Sequence, residues 1–203
     1  MRLSKGSIIS LVTVGLILAG LCQLCCAYTP TFQGLEDLPG GIVSGNATDV
    51  GSMMNEGPVV GQGRSAGNEA CIWYYYEGFD PPHGLGDLPG GMFESKACGV
   101  SGGYHGSVVV GYGYQELGKE AFRWTSGSGM TGLGDLTGGG FESVAYAVST
   151  DGLVIVGYGS SVSGTEAFRW TESTGMVGLL TCLEGPSIAR PQLSQPMPGS
   201  FSE

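Results

Sequence analysis

Basic residues are scarce in this chain. Eight Lys and Arg stand against eighteen Asp and Glu, and the formal net charge is −10. Such a surface repels phosphate backbones and anionic lipid, which argues against nucleic acid and anionic membranes as partners. It is compatible with bound cations, Ca²⁺ included. Hydrophobic residues make up 41% of the sequence, too many for an acidic disordered chain.

Catalytic motifs are also missing. The sequence contains no HExxH or P-loop pattern, and its two histidines, His83 and His105, occupy positions that are not equivalent in the repeat described below. The glycine-rich stretches VVGQG and VVVGYG are followed by no helical pattern that would present a helix N-terminus to a phosphate. Nothing here predicts a familiar enzyme class.

Cysteines are few once the N-terminus is set aside. Three of the six lie before residue 27, and Cys71, Cys98 and Cys182 remain. An odd number at non-equivalent positions is not a disulfide framework, and no CxxC or Cys/His metal spacing occurs among them. We predict small buried apolar side chains, with a single disulfide bridge as the alternative.

Residues 1–27 have the pattern of a secretory signal. Arg2 and Lys5 precede an uncharged apolar run from Ile8 to Leu21, and small residues follow up to Ala27. We predict a signal helix that is cleaved and a secreted protein; the alternative is an uncleaved segment that anchors the chain in a membrane. Cleavage removes two basic residues and no acidic one, so the formal charge becomes −12.

Helical periodicity is absent after residue 27, whereas glycine is abundant, with 39 residues, and recurs at a fixed phase. The phrase GLxDL begins at Gly34, Gly84 and Gly132 and decays at Gly178. VVG or IVG, then EAxxW, follow each phrase in the same order. These landmarks predict three repeats over residues 34–83, 84–131 and 132–177.

Each repeat is predicted to form four short strands. In the third repeat these are residues 144–148, 153–156, 166–170 and 176–180, with a hairpin turn at Thr150–Gly152. Residues 166–170 alternate, which places Ala167 and Arg169 on one face and Phe168 and Trp170 on the other. The glycines and serines that follow residue 156 are predicted to form a loop.

Four strands in about 46–50 residues, repeated, are typical of a β-propeller blade. We predict an all-β fold of three four-stranded antiparallel repeats, arranged as a partial or open propeller. A spare strand at 31–38 does not close the ring, because the third repeat has its own fourth strand. An open stack and a ring completed by a partner both remain. The proline-containing segment 183–203 is predicted to be a disordered tail.

The motifs LGDLPGG, AxxVSxDG, VVVG, EAFRWT and TGMxxLGDL resemble the HAF repeat family of extracellular, mostly bacterial proteins. The resemblance covers about residues 31–182. Glutamate replaces the family's histidine at Glu69, Glu120 and Glu166. The resemblance implies a secreted β-rich repeat protein, kelch-like in architecture, and implies no reaction and no catalytic residue.

Carboxylates recur with the repeat. Asp37, Asp87 and Asp135 are candidate Ca²⁺ ligands, but one carboxylate per repeat fits a turn residue that accepts backbone N–H groups better. Paired acids could hydrolyse glycosides. However, a catalytic pair occurs once per active site, so recurrence indicates structural roles for the remaining acids: Glu69, Glu94, Glu120, Glu142 and Glu166.

The other recurring residues are also predicted to be structural. Arg123 and Arg169 are expected to pair with acids or stack on tryptophan. The tryptophans are expected to pack within blades, with sugar platforms as the alternative. The structural repeat positions are Gly61, Gly111, Gly157, Trp73, Trp124 and Trp170.

These features predict a secreted, non-enzymatic repeat protein that serves a surface, scaffold or ligand-binding role. No cofactor is expected apart from the candidate Ca²⁺. A surface or carbohydrate ligand is expected, together with self-association through open blade edges. The alternative is a carbohydrate-active propeller enzyme, in which the non-repeated polar residues would converge on an acidic pair: Asp80, His83, Tyr104 and His105.

Overall fold

The computed structural model describes residues 34–52, 57–74, 80–102 and 107–179. These residues form strands, turns and coil and contain no helix, so the all-β prediction is confirmed. Accordingly, no described segment is a helix with the length and apolar character needed to span a membrane. The predicted signal at 1–27 and the predicted tail at 183–203 lie outside the described residues.

The described residues form twelve strands in one open sheet that does not close on itself. Their bounds are β1 Asn46–Val50, β2 Val59–Arg64, β3 Asn68–Trp73, β4 His83–Gly84, β5 Gly90–Val100, β6 Val109–Gln115, β7 Gly118–Thr125, β8 Gly129–Gly132, β9 Gly138–Val148, β10 Ile155–Ser161, β11 Gly164–Thr171 and β12 Gly175–Gly178.

The strands pair as three antiparallel meanders. Meander 1 consists of β1–β4, meander 2 of β5–β8 and meander 3 of β9–β12. At each junction between consecutive meanders, the described residues form a single parallel pair. Asn68 pairs with Glu94 at the first junction, and Lys119 pairs with Glu142 at the second. The meanders therefore meet through side chains and turns rather than through a continuous hydrogen-bonded ladder.

The core lies between the meanders, and alternate residues of each strand serve its two sides. We call the face that carries Val60, Val110 or Val156 the front of its meander and the opposite face the back. The front of meander 1 packs on the back of meander 2, where Phe122 lies. The front of meander 2 packs on the back of meander 3, where Phe168 lies. Because both faces of meander 2 are covered, the consecutive valines Val109 and Val110 at the start of its second strand are both fully buried.

The two ends of this arrangement differ. The back of meander 1 is covered by residues 35–38: Leu38 packs on Cys71 and Trp73, and the Trp73 Nε1–H donates to the Glu36 carbonyl at 2.7 Å. At the other end, the front of meander 3 is exposed, as Val156 shows with 39% of its surface accessible. The predicted alternation of residues 166–170 is confirmed, since Phe168 is buried and Ala167 and Arg169 are exposed.

Glycine is sterically required at one position in the second strand of each meander. A Cβ at Gly61, Gly111 or Gly157 would overlap the carbonyl oxygen of the neighbouring first strand, which belongs to Asn46, Lys96 or Val144. Close approach of two backbones is a common reason for glycine inside a strand.

Two details of the predicted strands are wrong. Of the spare strand predicted at 31–38, the described residues 34–38 are coil, and their leucines pack into the core without strand pairing. Strand β10 continues through Gly157 and Gly159 to Ser161, where a loop was predicted. These glycines pair with Phe168 and Glu166, so here glycine serves close packing within a strand. The predicted hairpin turn at 150–152 is confirmed, with Gly152 at φ 74°.

Candidate functional site

The repeated aspartates accept hydrogen bonds from backbone N–H groups at the GLxDL turn that precedes each meander. Asp37 accepts N–H groups from Leu38 and Ser44, at 2.8 and 2.5 Å. Asp87 accepts the Glu94 N–H at 3.1 Å, and Asp135 accepts the Glu142 N–H at 3.0 Å. Among the described residues, no three His, Cys, Asp or Glu side chains cluster as a metal site would require.

Two of these aspartates differ in pKa. Burial raises the pKa of Asp37, but the N–H groups of Ser44, Leu38 and Arg64 outweigh it, and the net pKa lies below its usual value. At Asp87, burial is dominant and the pKa lies above its usual value, despite backbone hydrogen bonds and with a further increase from Glu69.

We predict that Asp87 protonates at higher pH than Asp37 as the pH falls. Asp37 contributes stability above its unfolded pKa and loses it as the pH falls through the lower folded pKa. Asp87 has the opposite sign, since its raised folded pKa favours folding as it becomes protonated. Carboxyl-carbon NMR titration measures both, and reversal of their order would contradict this assignment.

The third-strand glutamates explain the glycine of GLxDL. The Glu69 Oε1 accepts the Gly86 N–H at 3.0 Å, and the Glu120 Oε1 accepts the Gly134 N–H at 2.8 Å. A Cβ at Gly84 or Gly132 would overlap the same carboxylate. These acids hold the turn that leads to the next meander.

Two buried serines complete these joints, and the sequence analysis missed them. The Ser95 Oγ donates to the Gly86 carbonyl at 2.6 Å and accepts the Ala70 N–H at 3.0 Å. The Ser143 Oγ donates to the Gly134 carbonyl at 2.7 Å and accepts the Ala121 N–H at 2.9 Å. Both serines are fully buried. The sequence signal was a Glu-Ser dipeptide at the same position of the second and third repeats, of which only the glutamate was considered.

We predict that Ser95→Ala lowers the free energy of unfolding by about 1–3 kcal/mol, because it leaves a buried N–H and a buried carbonyl without partners. Urea denaturation followed by tryptophan fluorescence measures the change. Ser126→Ala, in an exposed turn, is the matched control and should change stability by less than about 0.5 kcal/mol. Equal effects from the two variants would contradict the role of Ser95.

The predicted pairing of the arginines is wrong within the described residues. Neither Arg123 nor Arg169 forms an ion pair or lies over an aromatic ring there. The reason is the strand geometry: neighbouring residues face opposite sides of the sheet, so Arg169 points to the front and Trp170 to the back. Trp73 is buried, and Trp124 and Trp170 pack against the core clusters.

The residues named for the enzyme alternative are only partly described. His83 is exposed, and its ring lies 5.8 Å from that of Tyr74. Asp80 is also exposed, whereas Tyr104 and His105 lie outside the described residues. Glu69 and Glu120, meanwhile, bond backbone N–H groups at separate joints.

The described cysteines are free thiols, and Cys182 lies outside the described residues. Cys71 is buried in the core, as predicted for a small apolar side chain. Its burial, with Asp37 and Glu69 nearby, raises the pKa of the Cys71 thiol to about 12. Burial also raises the pKa of Cys98. Thiols of this kind are poor nucleophiles at neutral pH.

One cluster of polar and aromatic groups lies where meanders 2 and 3 meet, and it is centred on Lys119, a residue that does not recur. We call it the Lys119 cleft. The Lys119 Nζ lies 3.3 Å from the Glu142 Oε1 and 5.4 and 5.9 Å from the ring centroids of Tyr112 and Tyr114. The Tyr158 hydroxyl donates to the same carboxylate oxygen at 3.4 Å.

An open cavity of about 250 Å³ lies within the Lys119 cleft, lined by Tyr114, Lys119, Phe141 and Glu142. Burial lowers the pKa of Lys119, but its hydrogen bond to Glu142 and its tyrosine neighbours outweigh this, and the net pKa is raised. Burial raises the pKa of Tyr112. The cleft thus holds a stable cation beside the protonated phenol of Tyr112 at neutral pH.

The corresponding joint between meanders 1 and 2 has different chemistry. There Asn68 pairs with Glu94, and Gln62 takes the place of Tyr112 and donates to the Ser95 carbonyl at 3.0 Å. The fold therefore does not require Lys119 and its tyrosines. Sequence reasoning missed the cleft because it followed residues that recur, whereas Lys119 and Tyr114 differ between repeats, and Glu142 was considered only as a recurring structural acid.

The chain was compared with models of known protein families, with curated protein sequences and with solved structures, and no match was found.

Proposed function

We propose that the chain is a secreted repeat protein of the HAF type, whose three meanders are the blades of a partial or open propeller, and that it acts by binding rather than by catalysis. The support is the use of the recurring acids. Asp87, Asp135, Glu69 and Glu120 accept backbone N–H groups at the joints, which accounts for their recurrence without a reaction.

The ligand we propose is a carbohydrate bound in the Lys119 cleft, and the cluster around the non-recurring Lys119 carries this proposal. Aromatic rings present a negative face to the C–H groups of a sugar ring. Lys119 supplies donors, Glu142 supplies acceptors, and the tyrosine hydroxyls supply both. A few convergent polar groups beside apolar rings are typical of small-ligand sites.

A glycan array probed with the full-length expressed protein, followed by calorimetry on each glycan retained, tests this proposal. Lys119→Met removes the charge and keeps the aliphatic stem, and it should weaken binding at least tenfold, about 1.4 kcal/mol. Arg64→Met, at the exposed end of β2 in meander 1, also removes one positive charge and is the control; it should leave the dissociation constant unchanged. Retention of no glycan, or equal binding by both variants, would overturn the carbohydrate proposal.

Secretion is tested separately by sequencing the N-terminus of protein recovered from the medium. We expect Tyr28 as the first residue, after a cut following Ala27. Protein that stays in the membrane fraction with Met1 retained would support the anchored alternative instead.

A further inference from the structure

The front of meander 3 is an uncovered copy of faces that are covered elsewhere in the molecule. Val60 and Val110 are completely buried at this position, whereas Val156 is 39% exposed. Tyr146 on the same meander is 56% exposed. We call this surface the open face; it consists of Tyr146, Val156, Ala167 and Arg169.

The two internal joints show what covers such a face. At each joint a GLxDL turn contributes two leucines to the core, and these are Leu85 and Leu88 at the first joint. Eight residues after the aspartate, a serine bonds the third strand of the preceding meander, as Ser95 does with the Ala70 N–H. Ser143 and Ala121 repeat this arrangement at the second joint.

Meander 3 has the receiving half of the same joint. The Leu179 N–H donates to the Ala167 carbonyl at 2.7 Å, just as the Leu85 and Leu133 N–H groups donate to Ala70 and Ala121 at 2.8 Å. Within residues 138–179, which the structure describes without a gap, no serine Oγ accepts the Ala167 N–H. The first hydrogen bond of the turn is therefore present at Leu179. Meander 3 itself contains no strand that supplies the serine contact to the Ala167 N–H.

The chain's own later residues do not match the donor pattern. Counted from Gly178 as β5 is counted from Gly84, residues 184–194 would align with β5. This stretch places Ala189 at the serine position and contains Pro186 and Pro191. Proline cannot donate to a ladder, and alanine has no hydroxyl.

A second copy of this chain, docked through the back of its meander 1, also fits the open face poorly. The back of its meander 1 is already buried at Cys71 and Trp73, with 0% and 2% exposure. The residue that corresponds to Ser95 is Gly45, just before β1, because the Ser44 N–H donates to Asp37 as the Glu94 N–H donates to Asp87. Docking head to tail would therefore lack the serine contact.

We infer that the open face of meander 3 binds a β-strand donated by another polypeptide, whose GLxDL turn is followed by a serine eight residues after the aspartate. Donation of a strand supplies main-chain hydrogen bonds, and the alternating side chains give specificity. The leucines of the turn and the small residues around the serine then cover Val156, as Leu133, Leu136 and Ala145 lie in one core cluster with Val110. This inference does not depend on carbohydrate binding in the Lys119 cleft.

The test uses the full-length protein and a synthetic peptide with the sequence of residues 132–148, GLGDLTGGGFESVAYAV, which contains a donor strand and no cysteine. Calorimetry should show saturable 1:1 binding. The peptide with Ser143→Ala should bind at least fivefold more weakly. In the protein, Val156→Asp should abolish binding, whereas Val162→Asp, on an exposed hairpin, should leave it unchanged.

Three results would overturn the inference. One is no binding at millimolar peptide, and another is binding that survives Val156→Asp in the protein, since the peptide would then occupy another surface. The third is a stable dimer in light scattering that Val156→Asp dissociates, because a second copy would then be the occupant of the open face.

Discussion

Replacing Gly111 by alanine is expected to destabilise the protein by at least about 3 kcal/mol. The added Cβ would overlap the Lys96 carbonyl oxygen, and the first and second strands of meander 2 would have to separate at their pairing of Gly111 with Ala97. Because the overlapping atom belongs to the backbone, the clash cannot be relieved by rotation of a side chain. Both faces of this meander are core, so the disturbance spreads to both joints.

Guanidinium denaturation followed by circular dichroism measures the loss of stability. Gly127→Ala is the matched control, because Gly127 lies in an exposed turn where an added Cβ meets no atom within 4 Å. Its effect should stay within about 0.5 kcal/mol. If the Gly111 variant were as stable as the control, the close approach of β5 and β6 would be wrong.

The second large effect is a contrast between two equivalent valines. Val110→Asp should lower the free energy of unfolding by at least about 4 kcal/mol, because it places an unpaired carboxylate in a fully buried position between meanders 2 and 3. Val156→Asp should cost less than about 1 kcal/mol, because its side chain already faces water on the open face. A natural domain has only about 5–15 kcal/mol of stability in total.

Thermal unfolding of both variants, followed by circular dichroism, separates these cases. The Val110 variant should lose most of its transition amplitude or melt at a much lower temperature, while the Val156 variant should melt close to the parent chain. An equally large loss for Val156→Asp would mean that something covers the front of meander 3. The same measurement establishes that the Val156 variant is folded before it is used in the peptide experiment.

The acidic residues show what recurrence in the sequence indicates and what only the folded chain reveals. Recurrence indicated that Asp87 and Glu69 were structural, and their carboxylates bond the backbone of the turn between meanders 1 and 2. Recurrence could not indicate the bonding partners, since Glu69 lies seventeen positions from Gly86 along the chain. It also drew attention away from Lys119, which is unique to one joint.

The sequence by itself determined the β class, the turn at residues 150–152 and the sidedness of residues 166–170. These features are local: side chains alternate along a strand with a period of two, and glycine and aspartate specify tight turns whatever surrounds them. The same local signals misassigned residues 34–38 as strand, because leucines that pack into a core give an apolar pattern whether or not the backbone pairs.

Only the tertiary structure decided what lies between the meanders. The Lys119 cleft exists because residues from β6, β7 and β9 meet, and the two charged partners are separated by 23 positions in sequence. The open face exists because Val156, which resembles Val110 in every local respect, has no following meander packed on it within residues 138–179. Burial depends on what stands opposite a side chain, and a repeat carries no local record of that.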